Sequence, residues 1–171
     1  MVRYAIESSK TKIGIVGKSS FWYSCLKVNG PQAARKWTRD MQGEGVFDNG
    51  WVLLVPICEN DHWFMLAIDT TAHDIKILDS MSTGITPNHM SAADRIRQWL
   101  YLECGSEVVW PLKMHAVPQQ GNIYDCGVFL IGFVQAMAIG GLAATSTFNQ
   151  GCCLGLRLAM LRRRRALSPA D

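Results

Sequence analysis

The strongest structural signal in the chain is the segment His62-Trp63-Phe64-Met65-Leu66-Ala67-Ile68-Asp69. In an extended strand, successive side chains point to opposite faces of the sheet. Both faces of this stretch are apolar, which is the pattern of a strand covered on its two sides. One face carries Phe64, Leu66 and Ile68, and the other carries Trp63, Met65 and Ala67. We therefore predict a central strand with a layer packed on each face.

Two further strands are predicted around this one. Trp51 to Ile57 is a continuous apolar run before it. After it, Ile75, Ile77 and Asp79 share one face of a third strand. Asp79 thus lies on an apolar face at a strand end, where a carboxylate needs a partner.

Helices are predicted before and after these strands. Pro31 suits the first turn of a helix that runs to about Gln42. Ser91-Ala92-Ala93-Asp94 resembles a capping box and predicts a helix start at Ser91. Cys126 to Ile139 and Gln150 to Ala166 are predicted as the last two helices. This order predicts an α+β fold, a short mixed sheet flanked by helices.

The bulk composition favours one folded domain. The chain has 171 residues, of which 49% are hydrophobic and 18% charged. The net charge of +3 depends on the run Arg162 to Arg165, because 13 basic and 14 acidic residues remain without it. We predict a catalytic domain at residues 1–161 and a basic tail at 162–171. A solvated helix end is the plain interpretation of the tail, and a nuclear-import signal or a nucleic-acid contact is the alternative. The nearly neutral body argues against any other nucleic-acid surface.

The cysteines and the chain start favour an intracellular protein of the cytoplasm or nucleus. Six cysteines are present, and the adjacent pair Cys152-Cys153 is awkward for a disulfide framework. Met1-Val2-Arg3-Tyr4 has no apolar core of signal-peptide type. Cys58 and His62 could begin a zinc site, but no second ligand pair is visible, so we expect no metal. The apolar segment from Gly127 to Thr145 is interrupted by polar and glycine residues, and we expect a buried helix and no membrane contact.

The segment Pro118-Gln119-Gln120-Gly121-Asn122-Ile123-Tyr124-Asp125-Cys126-Gly127 carries the candidate chemistry. Cys126 begins a helix, whose N–H groups and dipole favour a thiolate. Asp125 suits the N-cap, although its charge opposes the thiolate. His62 could exchange the thiol proton, Asp79 could orient its imidazole, and Gln120 could donate to an oxyanion.

Each of these residues also has a plain structural interpretation. Cys126 alone is more typical of a buried core thiol, and His62 of a core or rim histidine. Asp79 could be an ordinary acid at a strand end, with Asp69 and Asp74 as lower-ranked competitors. Gln120 could be a polar loop residue. The four residue types in this order carry more weight than any one of them.

The chain resembles the ubiquitin-like-protein-specific (SUMO/sentrin) cysteine proteases. The resemblance rests on Val55-Pro56-Ile57, His62-Trp63, Leu78-Asp79-Ser80 and Pro118 through Phe129, and covers about Trp51 to Phe133. Both the 17-residue interval from His62 to Asp79 and the six-residue interval from Gln120 to Cys126 fit the family. Where the family usually has Trp-Leu-Asn-Asp before the sheet, this chain has Phe21-Trp22-Tyr23-Ser24.

The resemblance implies a papain-like core and a full set of site residues. It implies Cys126 as nucleophile, His62 as general base and acid, Asp79 as orienting acid and Gln120 as oxyanion donor. It also implies three substrate-binding residues. Trp63 and Trp22 would form the walls of a narrow channel for a Gly-Gly tail, and Gln119 would be the third contact. Only Gly-Gly lets a flat backbone pass between aromatic side chains.

The implied function is a thiol protease or isopeptidase that cleaves after the Gly-Gly tail of a SUMO- or ubiquitin-like modifier. It needs no cofactor, its partners are the modifier and its conjugates, and we expect a monomer. Two alternatives stay open. One is an acetyltransferase that uses the same Cys-His-Asp set, and the other is an inactive modifier-binding module.

Overall fold

The protein folds around one mixed sheet of six strands, arranged in the order β1-β2-β3-β4-β5-β6. The computed structural model describes residues 2–8, 11–42, 45–47, 50–105 and 109–167. The strands are β1 Val2–Ser8, β2 Thr11–Gly17, β3 Trp51–Glu59, β4 His62–Asp69, β5 Asp74–Leu78 and β6 Leu112–Met114. The helices are α1 Ser20–Arg35, α2 Arg39–Gln42, α3 Pro87–Cys104, α4 Cys126–Gly140 and α5 Cys153–Leu167. The predicted α+β class is confirmed.

The register of the central strands brings two candidate residues to one edge of the sheet. β3, β4 and β5 are successive antiparallel neighbours, and Met65 pairs with Leu78. Because β4 and β5 run in opposite directions, Asp79 after the end of β5 lies beside His62 at the start of β4. The outer pairings are mixed, with β2 parallel to β3 and β5 parallel to β6.

Helices cover the sheet on both faces, as the apolar pattern of β4 predicts. Phe64, Leu66 and Ile68 pack in a core formed with α1 and α3. Met65 and Ala67 pack on the other face, against Phe129 and its neighbours on α4. The strand therefore carries two cores, and α4 is held against the sheet by its own buried face.

Two helix boundaries differ from the sequence prediction. α3 begins four residues earlier than predicted, at Pro87, and Thr86 is its N-cap, so Ser91 lies inside the helix. α1 runs from Ser20 through a kink at Gly30, whose φ of 78° is a conformation that glycine adopts readily. No strand was predicted from the sequence at β1.

α4 is a partly buried helix, as predicted for the apolar segment that begins at Gly127. Among the helices described, none combines the length and apolar character that a membrane crossing requires. α5 continues without a break through positions 162–165, and Arg162 and Arg163 are exposed. The division at residue 161 stays a prediction, and residues 168–171 of the predicted tail lie outside the described part.

Candidate active site

His62 and Asp79 form a hydrogen-bonded pair at the edge of the sheet. The Nε2 atom of His62 lies 2.8 Å from Oδ1 of Asp79. A carboxylate only accepts hydrogen bonds, so Nε2 carries the proton and Nδ1 is left free for another partner. The pair matches the predicted geometry of a histidine oriented by an acid.

The Cys126 thiol lies near the His62 ring. The Asp79 hydrogen bond raises the pKa of His62, burial works against this rise, and the nearby Cys126 adds to it. Nδ1 of His62 is buried without a hydrogen-bond partner among the described residues, so the thiol is near but not yet in a tight hydrogen bond. Such looseness is common in sites without a bound substrate.

The Cys126 thiol lies at the first residue of α4 and is only 6% exposed. The first helical hydrogen bond runs from the N–H of Phe129 to the carbonyl of Asp125. The N–H groups of the first turn therefore have no acceptor within the helix. Together with the helix dipole, they form an environment that stabilises negative charge near the sulfur.

Asp79 is a buried acid with several hydrogen-bond donors around it. Its side chain is 2% exposed. Oδ1 also accepts the N–H of Met81, at 2.7 Å, and Oδ2 accepts from Nε2 of His89, at 2.9 Å. Burial alone would raise the pKa of Asp79, but hydrogen bonds from His62, His89 and Met81 outweigh it and leave the pKa far below its usual range. Asp79 is thus held as a carboxylate.

Gln120 is held next to the site by three hydrogen bonds. Its backbone N–H donates to the carbonyl of Ser80, at 2.7 Å, and its Oε1 accepts the Ser80 hydroxyl, also at 2.7 Å. One N–H of its amide nitrogen donates to the carbonyl of Asn122. The second N–H remains for an oxyanion, because an amide nitrogen has two protons.

Asp125 is the N-cap residue of α4, as predicted, but its side chain makes no capping hydrogen bond to the helix. Its buried carboxylate instead accepts from Asn122 at 2.7 Å, from Gln150 at 2.6 Å, and from the Arg157 guanidinium. The Asn122 hydrogen bond and then Arg157 lower the pKa of Asp125. Its negative charge is therefore balanced locally, which reduces its repulsion of a thiolate at Cys126.

A groove of about 670 Å³ opens beside the thiol. Trp63 lies on its wall, 3.5 Å from the position that a Cβ at Gly127 would take. Tyr124 is a second aromatic ring in the wall, one that sequence reasoning missed. The complete lining is Asp61, Trp63, Ile123, Tyr124, Cys126, Gly127, Val128, Leu130, Ile131, Arg157 and Met160.

Trp22 does not line this groove, and its predicted role as a channel wall is wrong. Its side chain is 1% exposed and packs edge-on against Trp99, with ring centroids 4.8 Å apart. Its indole N–H donates to the carbonyl of Ala34. Trp22 is a core residue that joins α1 to α3, because α1 turns this side chain toward the sheet.

Gln119 lies beside the acid rather than beside the thiol. Its amide nitrogen donates to the carbonyls of Asp79, at 2.9 Å, and Val117, at 3.2 Å. The amide oxygen is the part of this exposed side chain left for a ligand. Within the described ranges, no cluster of three or more His, Cys, Asp or Glu residues could hold a metal ion.

Besides Tyr124, three contributors to the site were not predicted from the sequence: His89, Ser80 and Arg157. His89 sits in the first turn of α3, a turn that the predicted start at Ser91 excluded. Ser80 follows Asp79 directly and was quoted in the family pattern without a role. Arg157 comes from α5, which meets Asp125 only in the tertiary structure. Thr86 three residues before His89 is the one local signal that could have found the histidine.

The chain matches a known family of proteases. Residues 17–167 match the Ulp1 protease family, C-terminal catalytic domain. The chain belongs to this family, and the resemblance stated from its sequence is confirmed.

The similar proteins include sentrin-specific and ubiquitin-like-specific proteases. Sentrin-specific protease 2 of Pongo abelii is 32% identical over 117 residues, which cover 65% of this chain and 19% of that protein. Ubiquitin-like-specific protease 1 of Saccharomyces cerevisiae is 29% identical over 126 residues, which cover 71% of this chain and 20% of that protein. The chain therefore matches about a fifth of the length of these curated relatives.

A solved structure supports the fold. The C-terminal Ulp1 protease domain in complex with Smt3, the yeast ortholog of SUMO, superposes with a TM-score of 0.70. The alignment covers 84% of this chain and 64% of that one, at 24% identity. The predicted papain-like protease core is thus confirmed at the level of the fold.

Proposed function

We propose that this chain is a thiol protease that cleaves after the C-terminal Gly-Gly of a SUMO-like modifier, either in a precursor or in an isopeptide-linked conjugate. The observation that carries the proposal is the His62–Asp79 hydrogen bond at 2.8 Å, with the Cys126 thiol close to the same imidazole. Family membership and the names of the relatives support it.

In the proposed reaction, the Cys126 sulfur attacks the carbonyl carbon of the terminal glycine. The carbonyl oxygen becomes an oxyanion, which the free N–H of Gln120 and backbone N–H groups at the start of α4 stabilise. His62, protonated by the thiol, gives its Nδ1 proton to the departing amine, and a thioester remains on Cys126. Water then attacks the thioester while Nδ1 takes its proton, and the thiol and the modifier's carboxylate are released.

The hydrogen-bond pattern of His62 suits this proton transfer. Because Asp79 holds the proton on Nε2, the nitrogen that faces the sulfur is the one that gains and loses the proton. The raised pKa of His62 helps it to stay protonated until the amine leaves.

The groove beside Cys126 supports a narrow, glycine-containing substrate tail. Trp63 and Tyr124 provide aromatic walls, and Gly127 keeps the wall next to Trp63 open. A tail without side chains fits between such rings, whereas a branched residue would meet them. Trp63 is therefore proposed as a substrate-binding residue, and Gln119, whose amide oxygen is left for a ligand, is proposed as a second one.

Electrophilic modifiers test the proposal. SUMO, ubiquitin and other ubiquitin-like proteins that end in a propargyl or vinyl-sulfone group are incubated with the wild type and with Cys126→Ala. We expect one covalent adduct by intact-mass spectrometry with SUMO-type probes in the wild type, and none in Cys126→Ala. Absence of both labelling and cleavage across the panel, with the wild type folded, would overturn the proposal.

Hydrolysis is preferred over the other two functions. Both curated relatives and the aligned structure are described as proteases, which favours hydrolysis over acetyl transfer. The assembled hydrogen-bond network argues against an inactive binding module. We further propose that the protein acts inside a cell, which fits six cysteines that all lie in the described ranges and form no disulfide.

A further inference from the structure

We propose that His89 is a positioning residue for the reaction, one that fixes the acid which in turn fixes His62. This inference rests on the proposed function, because it concerns the same site. His89 is 1% exposed and lies in the first turn of α3. Both of its ring nitrogens are bonded, Nε2 to Oδ2 of Asp79 at 2.9 Å and Nδ1 to the backbone nitrogen of Thr86 at 3.1 Å.

The contact with Thr86 determines which nitrogen carries the proton. A backbone N–H can only donate, so Nδ1 of His89 must accept and cannot be protonated. The neutral ring then carries its proton on Nε2, where it donates to Asp79. In a doubly protonated ring, the N–H at Nδ1 of His89 would face the N–H of Thr86, and the two donors could not form a hydrogen bond. The helix cap therefore makes His89 a neutral donor.

This arrangement divides the two oxygens of Asp79 between separate partners. His89 binds Oδ2, while Oδ1 receives the N–H of His62 and the N–H of Met81. With both oxygens bonded, the carboxylate cannot rotate about its axis without breaking a buried hydrogen bond. Oδ1 is thereby kept facing His62, whose Nδ1 then faces Cys126.

His89 is itself held firmly. Its ring packs edge-on against Phe64 on β4, with centroids 4.7 Å apart. Its own backbone N–H donates to the Thr86 hydroxyl, which closes a capping box in which the histidine takes the place of the usual glutamate. The start of α3 thus serves as the support for the catalytic acid.

Two substitutions separate the two hydrogen bonds of His89. His89→Asn keeps an oxygen near the Thr86 N–H but cannot reach Asp79, whereas His89→Gln can place an N–H near Oδ2. We expect kcat for a modifier-fusion substrate to fall about ten- to a hundredfold in His89→Asn, with KM unchanged, because a buried hydrogen bond to a charged group is lost. His89→Gln should keep activity within about threefold of the wild type.

The pH profile distinguishes positioning from a purely structural role. The titratable groups that follow His89 in this chain of contacts are Asp79, His62 and Cys126. Without the donor, Asp79 takes up a proton at higher pH, so the acid limb of Cys126 alkylation by iodoacetamide should move to higher pH in His89→Asn. The limb should stay in place in His89→Gln. Equal losses in both variants, or an unmoved limb in His89→Asn, would overturn the proposal.

Two further measurements keep the result clear. Alkylation needs no modifier, so a wild type that cleaves nothing, together with a shifted limb in His89→Asn, would contradict the proposed function and support the role of His89. Nitrogen-15 NMR of the wild type reads the tautomer directly, even if both variants are unstable. We expect the His89 proton on Nε2 and an unprotonated Nδ1, and a protonated Nδ1 would overturn the inference.

Discussion

At the scale of single residues, the orientation of Gln120 depends on the hydroxyl of Ser80. An amide can point either its oxygen or its nitrogen toward a site, and only the nitrogen stabilises an oxyanion. The Ser80 hydroxyl donates to Oε1 and so assigns the nitrogen end to the side of Asn122. Ser80 and Asp79 are adjacent, so one strand end positions both the acid and the oxyanion donor.

Ser80→Ala should therefore lower kcat with little change in KM. We expect a loss of about tenfold, because the amide can then rotate and present its oxygen for part of the time. Gln120→Ala removes the donor altogether and should cost about a hundredfold or more. Steady-state kinetics on a modifier-fusion substrate measure both.

Ser82→Ala is the matched control for Ser80→Ala. The Ser82 hydroxyl donates to the carbonyl of Gly84, outside the contacts of Gln120. Its kcat should match that of the wild type. If Ser80→Ala also kept full activity, the hydrogen bond from the Gln120 amide nitrogen to the Asn122 carbonyl would have to orient the amide without Ser80.

At the scale of elements, α5 supports the start of α4 through charge. Arg157 binds the buried carboxylate of Asp125, which lies directly before Cys126. Without the guanidinium, a negative charge would remain next to the residue that must become a thiolate, and like charges at this range repel. α5 is thus part of the catalytic environment although it contributes no reacting atom.

Arg157→Ala should slow alkylation of Cys126 near neutral pH. We expect a decrease of about threefold to tenfold at low salt, and a smaller one at high salt, because Arg157 is partly exposed and its field is screened. Arg163→Ala removes an exposed charge from the same helix and should leave the rate unchanged. Equal rates in Arg157→Ala and the wild type would show that Asn122 and Gln150 balance Asp125 without the guanidinium.

At the scale of the whole molecule, ionised carboxylates make the fold sensitive to acid. Burial opposes ionisation of Asp79 and Asp74, but their hydrogen-bond donors outweigh it and the pKa of each lies below its usual range. Such groups bind fewer protons when folded than when unfolded, so their stabilisation is present above the unfolded pKa and is lost as the pH falls. The raised pKa of His62 acts in the opposite sense, with stabilisation that is lost as the pH rises through its folded value.

Asp79→Asn tests the acid dependence. It should lower the free energy of unfolding at pH 7 by about 1–3 kcal/mol. The amide NH2 group of the new side chain would face hydrogen-bond donors where the carboxylate oxygen now accepts. The difference from the wild type should shrink below about pH 4, where Asp79 begins to be protonated in the unfolded chain while the folded protein still holds it as a carboxylate. Urea titrations at several pH values measure this.

Asp94→Asn serves as the control for Asp79→Asn, because the Asp94 side chain is 64% exposed. It should change the free energy of unfolding by less than about 0.5 kcal/mol at every pH. A difference between wild type and Asp79→Asn that is constant with pH would mean that the charge of Asp79 does not contribute.

The sequence allowed the three central strands and four key positions to be predicted. The continuous apolar run from Phe64 to Ile68 was enough to predict a strand with two cores, because successive side chains of a strand point to opposite faces of the sheet. The family pattern then pointed to Cys126, His62, Asp79 and Gln120, which the fold brings to one edge of the sheet.

The remaining features depend on contacts that no local pattern encodes. Trp22 belongs to an aromatic run, Phe21 to Tyr23. The packing of α1 on α3 determines which side chains of this run turn into the core. His89 gains its role from the exact start of α3, and helix ends are the least predictable part of an element. Arg157 finds Asp125 only after α5 has folded back on α4.

The capping box at Thr86 and His89 also affects the order in which the site assembles during synthesis. His62, Asp79 and His89 lie within one stretch of 28 residues, and all three are translated well before Cys126. Because translation proceeds from the N-terminus, the base and its supports can form on the nascent sheet while the nucleophile is still absent. The thiol meets its base only when α4 docks on β4, so a partly folded chain carries an inactive cysteine.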